Sequence, residues 1–269
     1  MVLGATPLRE WIQPFVCLEH LLCRACGEFS RQDNRPAITR RFAQTIAQLL
    51  MLKPLPVQVG NEVAAGPFGD WLAQARSSLS GTGGVEVPCG DCRGCCTSSY
   101  SVQLRPEDER ALAKIPAQFL VSALGFHRAQ MTMRALPDGT CPMLDGGRCS
   151  IYRERPQTCL DYDCRVFAAA GIDAGGADKA VINRRVREWR FTYPTEADRL
   201  AHSAVRAAAT FIRERQTSFR SRIPTAPMGV AVLAIKVYAV FLDPTLRMKS
   251  DLEIANVIID AGRKFDASG

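Results

Sequence analysis

The chain has 269 residues, 47% of them hydrophobic, with 11 cysteines, 3 histidines and a formal net charge of +7. A chain this long buries a sizeable core without cysteine staples. No secretory leader is legible before Cys17 and Glu19, so a disulfide scaffold is not expected and a reducing, cytoplasmic setting is. No run reaches the ~18–20 uninterrupted apolar residues of a membrane-spanning helix. The nearest, residues 226–242, contains Lys236 and reads as a buried core helix, so no membrane partner is expected.

Residues 1–62 read as an N-terminal extension with little regular structure, because Pro7, Pro14, Pro36, Pro54 and Pro56 interrupt it. One helix fits there, near residues 39–52, with Phe42, Ile46, Leu49 and Leu50 on a face. Cys17, His20, Cys23 and Cys26 offer zinc-type donors. However, equal steps of three on one short piece wrap around a helix, whereas zinc sites draw their pairs from two elements. They stand as a further candidate site, apart from the main one.

From Phe68 the pattern is cleaner. Phe68, Trp71, Leu72, Ala75 and Leu79 follow helical spacing, and Gly81, Gly83 and Gly84 end the helix. Tyr100, Val102 and Leu104 alternate with polar residues and predict a strand. Pro106 opens a helix with Glu107, Asp108 and Glu109 in its first turn, and Pro116 closes it. Met131, Met133 and Ala135 mark a second strand. Asp138-Gly139 and Asp145-Gly146-Gly147 are turns. Beyond Pro156 the chain reads helical. Residues 178–189 place Ile182, Val186 and Trp189 on one side. Residues 195–215 place Leu200, Ala204, Ala208 and Phe211 on one side, with Thr195 as N-cap. Two more helices cover residues 226–242 and 251–264. Residues 171–176 form a glycine-rich loop without the spacing of a nucleotide-binding motif.

The chemistry lies in eight cysteines between positions 89 and 164: Cys89, Cys92, Cys95, Cys96, Cys141, Cys149, Cys159 and Cys164. In a reducing compartment, clustered thiols mean metal more often than disulfide. Cys-x2-Cys lets two thiolates reach one ion from a tight turn, and Cys89, Cys92 and Cys95 make two overlapping steps of that kind. Gly90 and Gly94 let the backbone turn. Cys96 directly follows Cys95, and neighbouring side chains are expected to diverge. Either one thiol of the pair serves a second metal, or the site is polynuclear with a bridging thiolate. Eight donors suffice for two four-coordinate sites. Cys159 and Cys164 are five apart, which on a regular helix puts them about 140° from each other. An interrupted helix, or service to different metals, is therefore expected. Thiolates select zinc, copper(I) or iron–sulfur clusters, and zinc or iron is the expected cofactor. Eight thiolates and two divalent cations carry a net −4, which takes the formal charge from +7 to +3. Arg93, Arg148, Arg153, Arg155 and Arg165 are candidates to offset the thiolates.

The order Cys-x2-Cys-x2-Cys-Cys, Cys141-Pro142-Met143-Leu144, Cys149-Ser150-Ile151-Tyr152, Arg155-Pro156, Cys159 and Tyr162-Asp163-Cys164 resembles the YkgJ-like cysteine-cluster family, described as a zinc- or iron-chelating domain. The resemblance covers about residues 89–164 and implies metal chelation by the eight cysteines. It supplies no established reaction. Many members carry arginine just after the position of Cys159, where this chain has Leu160. Flagellin lysine N-methylases look similar through the same cluster, yet no separate methyl-donor motif is legible here.

The expected architecture is α+β and mostly α-helical. A cysteine-rich strand-and-loop unit spans residues 63–176, and a helical C-terminal region, residues 177–269, packs on it. The expected function is chelation of zinc or iron by the eight thiolates. The alternatives are an iron–sulfur or polynuclear iron enzyme of methyl-transfer or redox type, and a nucleic-acid-binding zinc protein. The last rests on Arg184, Arg185, Arg187, Arg190, Arg213, Arg215, Arg220 and Arg222, and a solvated helix face is the preferred reading of them. In the iron reading, Asp161, Tyr162 and Asp163 are candidate acid–base groups, with a supporting role around the ligands preferred.

Overall fold

The computed structural model describes residues 62–81, 85–122 and 131–268. The expectations for residues 1–61, including the helix near 39–52 and the Cys17, His20, Cys23 and Cys26 group, lie outside them. Within the described residues the fold is α+β and mostly helical.

Strand β1 (Val63–Pro67) leads into helix α1 (Phe68–Leu79). The helix buries Phe68, Trp71, Leu72 and Ala75, the face its spacing announces, and Gly81 at φ 92 lets the chain turn away. After the first cysteine loop come β2 (Val102–Leu104), the single turn α2 (Glu109–Leu112), β3 (Leu120–Ser122) and β4 (Met131–Met133). These strands form an antiparallel sheet in the order β2-β4-β3, with Val102 opposite Met133. The helix expected from Pro106 to Pro116 is shorter than its charges suggest. Asp108 spends its carboxylate on the Arg105 and Gln157 backbone N–H groups, both at 2.8 Å, and so ties the turn to a distant segment.

Strands β5 (Leu144–Asp145) and β6 (Arg148–Cys149) form a hairpin through Gly146 and Gly147, both at positive φ. That is the backbone a two-residue hairpin turn demands, and glycine adopts it without strain. Helices α3 (Gln157–Asp161) and α4 (Arg165–Ala170) follow, separated by Tyr162, Asp163 and Cys164. The interruption expected between Cys159 and Cys164 is thus present. Helix α5 (Ala180–Glu188) is one turn shorter than expected. Trp189 leaves it in extended conformation and begins β7 (Trp189–Thr192), which pairs parallel with β1.

Helices α6 (Glu196–Glu214), α7 (Pro227–Val237) and α8 (Asp251–Ala267) complete the chain. Thr195 with Asp198, and Ser250 with Glu253, form reciprocal capping boxes at the starts of α6 and α8. Helix α7 is apolar nearly all round because α4, α6 and α8 surround it. Its Ala231 and Ala234, and Ala208 and Ala209 of α6, are fully buried, and such small side chains let helices approach closely. Phe167, Ile212 and Ile235 fill what remains, each contributing about 2–3 kcal/mol of burial. Leu200 does not join its expected face and is 54% exposed. A smaller core of Leu104, Ala111, Ile115, Met133, Met143 and Ile151 lies under the antiparallel sheet. Among the described residues no helix is long and apolar enough to cross a membrane.

Candidate metal centre

The cysteine loop is shaped by its own backbone. The Cys92 N–H donates to the Cys89 carbonyl at 3.0 Å across Gly90, whose φ is 55. Residues Gly94–Thr97 then make a 3-10 turn, in which the Cys96 N–H donates to the Arg93 carbonyl at 2.9 Å. Gly94 is buried against α5, where a Cβ would lie 3.1 Å from Ile182 Cγ1. Glycine is needed there for close approach. The Ser98 hydroxyl donates to the Gly94 carbonyl at 2.6 Å and fixes the end of the turn.

Two contacts bring the second group of cysteines to the first. The Cys141 N–H donates to the Cys96 carbonyl at 2.7 Å. Arg93 donates from Nε to the carbonyl of Gly147 in the β5–β6 hairpin. Cys141 and Cys149 also pack against the small apolar core, so the sheet beneath positions them.

All eight thiols are reduced and unpaired, and their electrostatics sort them into two neighbourhoods. Burial, then the Cys95 and Cys92 thiols, push Cys89 up to about 11. Burial raises Cys164 to about 12, with Asp163, Cys89 and Cys92 adding to it and the Trp189 hydrogen bond opposing. Cys92 thus acts on both Cys89 and Cys164, and Cys89 acts on Cys164. Burial and the thiols of Cys95, Cys141 and Cys149 push Cys159 up to about 12. Cys141 and Cys149 are raised as well, first by burial. Cys95 acts on both neighbourhoods. Its own pKa is lowered to about 7, chiefly by the hydrogen bond with Cys96, whose thiol is held protonated in return. Among the described residues no three His, Cys, Asp or Glu side chains stand close enough together to hold a metal ion between them. The thiols thus form two neighbourhoods rather than a closed cage.

One expectation is corrected. Cys95 and Cys96 do not diverge: in the 3-10 turn their sulfurs lie 3.9 Å apart. Two thiolates on one tetrahedral zinc, at about 2.3 Å each, are separated by about 3.8 Å. The adjacent pair therefore fits one ion as it stands. The donor chemistry suits a soft cation, being all thiol and numerous enough for four-coordinate zinc or iron, and closing a site around one would require the thiols to draw together.

The arginines divide. Arg155 lowers the pKa values of Cys95, Cys149 and Cys159 and lies 4.0 Å from the centre of the Tyr152 ring. Arg93 braces the loop. Arg148 and Arg153 are exposed. Arg165 turns away from the thiols to a buried ion pair with Asp163 at 2.9 Å, and also donates to the Ala65 and Glu86 carbonyls at 3.3 and 3.2 Å. The cation that faces Cys92 is Arg185 on α5. Burial opposes its charge, but the hydrogen bond and charge of Cys92 outweigh that and raise its pKa. Trp189 donates from Nε1 to Cys164 Sγ at 3.2 Å. Neither residue is near a cysteine in sequence, and only the fold of α5 and β7 brings them in. A tryptophan on the apolar face of a basic helix was the only available signal.

Asp161, Tyr162 and Asp163 take structural partners. Asp161 accepts from Arg105 at 3.1 Å and from Gln157 at 2.7 Å. The Tyr162 hydroxyl donates to that of Tyr100 at 3.4 Å, and burial holds Tyr162 protonated. Asp163 accepts from the Trp71 indole at 2.8 Å.

A reduced, all-thiol donor group braced by a small sheet and a helical frame has the ligand chemistry that soft cations select. Residues 88–179 match the family model described as "CxxCxxCC: Putative zinc- or iron-chelating domain". The matched segment contains the eight cysteines from Cys89 to Cys164. No curated protein and no solved structure matches the chain.

Proposed function

We propose that the protein chelates zinc or iron through Cys89, Cys92, Cys95, Cys96, Cys141, Cys149, Cys159 and Cys164. The observation that carries this reading is the 3.9 Å separation of the Cys95 and Cys96 sulfurs at the point where the two thiol neighbourhoods meet. Cys89, Cys92 and Cys164 would serve one centre, and Cys96, Cys141, Cys149 and Cys159 the other. Cys95 stands between them, beside Cys96 and within the field that reaches Cys89. Thiolate ligands shed their protons on binding, so metal uptake releases protons and stabilises the fold. Eight reduced thiols suit a reducing compartment such as the cytoplasm. The thiol unit and the helices behind it, residues 63–176 and 177–269, would work as one chelating body, because α5 and β7 supply Arg185 and Trp189 to the thiols.

A second reading is an iron–sulfur or polynuclear iron centre. It is favoured by one observation: the larger neighbourhood, with Cys95, holds five thiols, one more than a single four-coordinate ion uses, so one thiolate is free to bridge. A nucleic-acid role is favoured by nothing comparable. Arg185 faces Cys92, Arg187 pairs with Asp173 at 3.3 Å, Arg190 pairs with Glu62 at 2.9 Å, and Arg213 pairs with Glu214 at 3.4 Å. Four of the eight arginines of the stripe thus have partners within the fold.

Elemental analysis with an absorption spectrum, on protein purified without oxygen, decides between the two metals. Two zinc per chain and no visible colour supports the first reading. Iron with brown colour supports the second. Metal content that stays the same when Cys95, Cys141 and Cys164 are each replaced by serine overturns both.

A further inference from the structure

Among the described residues two guanidinium groups have a buried Nε with no hydrogen-bond partner, those of Arg155 and Arg185. A buried N–H left without an acceptor is unfavourable, and the cost is greater when the group is charged. Both arginines act on the thiols, one on each neighbourhood. Arg185 faces Cys92 and shares its charge with Glu188 at 3.3 Å. Arg155 acts on the larger neighbourhood and has no carboxylate partner among the described residues. Its charge is therefore left uncompensated by any acidic side chain described.

The backbone fixes where Arg155 stands. It follows the 3-10 turn Tyr152–Glu154 at φ −58 and ψ 144, the extended form that a following proline imposes. Pro156 is fully buried, and its carbonyl accepts the Cys159 N–H at 2.8 Å. Arg155 is thus tied to the start of α3, which carries Cys159. Its guanidinium carbon lies 4.0 Å from the centre of the Tyr152 ring, so the side chain rests on a flat face. From there its charge reaches three thiols on three separate elements, Cys95 of the 3-10 turn, Cys149 of β6 and Cys159 of α3. Burial raises the last two, and the Arg155 charge opposes it.

Four thiolates on a divalent cation carry a net negative charge, and a half-buried charge of that kind calls for a counter-charge and for hydrogen-bond donors to its sulfurs. We propose that Arg155 is the positioning counter-ion of the larger thiol neighbourhood, its charge offsetting the thiolates in the metal-bound protein and its Nε donating to one of their sulfurs. The unpaired donor is then a group held ready for a charge that these thiols carry only as ligands. The inference rests on the chelation reading and adds to it the residue that makes the charge tolerable.

The test is chelator competition for zinc and, without oxygen, for ferrous iron, on the full parent chain, Arg155→Met and Arg155→Lys, with urea unfolding of each chain free of metal. Methionine keeps an apolar stem beside Tyr152 and removes both the charge and the donors. Arg155→Met is expected to bind the metal at least about tenfold more weakly. Its metal-free form should unfold at the parent's urea concentration or above, because the unpaired buried donor is gone. Arg155→Lys restores the charge and should recover part of the affinity. A residue that only packs would behave differently: the metal-free methionine variant would be weakened, and lysine would help no more than methionine. Either result overturns the proposal. So does an Arg155→Met chain that binds as tightly as a parent that does bind, which leaves the chelation reading standing. A parent chain that takes up neither metal removes the chelation reading itself, and this inference with it.

Discussion

The Trp189 indole donates from Nε1 to Cys164 Sγ across 3.2 Å, and both residues are buried. A donor of this kind stabilises thiolate over thiol and therefore favours the ligand form of the sulfur. In Trp189→Phe the sulfur keeps its apolar cover but loses the hydrogen bond. Metal affinity in a chelator competition should fall roughly tenfold, with the circular dichroism of the metal-loaded chain unchanged. Affinity equal to the parent's would mean that the indole only fills space.

Asp163 and Arg165 flank Cys164 and form an ion pair at 2.9 Å, with side chains 3% and 6% exposed. Asp163 also accepts from Trp71, and Arg165 holds the Ala65 and Glu86 carbonyls. The pair therefore pins α1, β1 and the segment entering the cysteine loop to the start of α4. Removing one partner leaves the other charge buried without compensation. Asp163→Asn or Arg165→Met alone should cost about 3–5 kcal/mol in urea denaturation. The double variant should cost less than the sum of the two, because neither charge is then stranded. Additive costs would show that the two residues act separately.

Much of this frame is legible in the sequence. Phe68, Trp71, Leu72 and Ala75 mark α1 because a helix packing by one face requires that spacing. Gly146-Gly147 marks the hairpin because few residues adopt positive φ in succession. The failures have physical causes. β1 and β7 are short parallel strands far apart in sequence, and no local pattern announces such a pair. Leu200 has the right period, but a period says which face a residue is on and not where the neighbouring helix ends. Leu200→Gln should accordingly change stability by less than about 0.5 kcal/mol. The eight cysteines stand out as candidate donors by their spacing. The closeness of Cys95 and Cys96 does not, because it depends on the 3-10 turn at Gly94–Thr97. Arg185 and Trp189 carry no cysteine-like signal at all.

Cys95 should be the most reactive thiol of the metal-free protein. It is exposed and its pKa is lowered to about 7, whereas Cys89, Cys159 and Cys164 lie at about 11–12. The thiolate is the nucleophile, so at pH 7 about half of Cys95 is reactive and the other three are almost fully protonated. Brief iodoacetamide treatment with mass mapping should label Cys95 first, with a rate midpoint near pH 7. Cys96→Ser changes the principal hydrogen-bond donor and should shift that midpoint. Bound metal should suppress the labelling. Uniform labelling of all eight cysteines would contradict this ordering.

His202 gives the fold a pH dependence of definite sign. Phe68 of α1 stacks on one side of it, Tyr193 just past β7 bonds its Nδ1, the Ala168 and Ala169 carbonyls of α4 face it, and Arg206 lies on its own helix. Burial first, then the Arg206 charge, push its pKa from 6.5 to about 4, with the two carbonyls opposing. In the unfolded chain the imidazole takes its proton near 6.5, but in the folded chain only near 4. Between these values the unfolded state holds more protons, so folding stability is fully present above pH 6.5 and is lost as the pH falls toward 4. The full shift would correspond to about 3 kcal/mol, and partial exposure of the ring reduces this to roughly 1–2 kcal/mol. Urea midpoints at pH 7.5 and pH 5.0 measure it. The parent should lose more stability between the two pH values than His202→Gln, which has no titrating group at that site. Identical losses in the two proteins would assign the acid sensitivity to the thiol unit or to the Asp163–Arg165 pair instead.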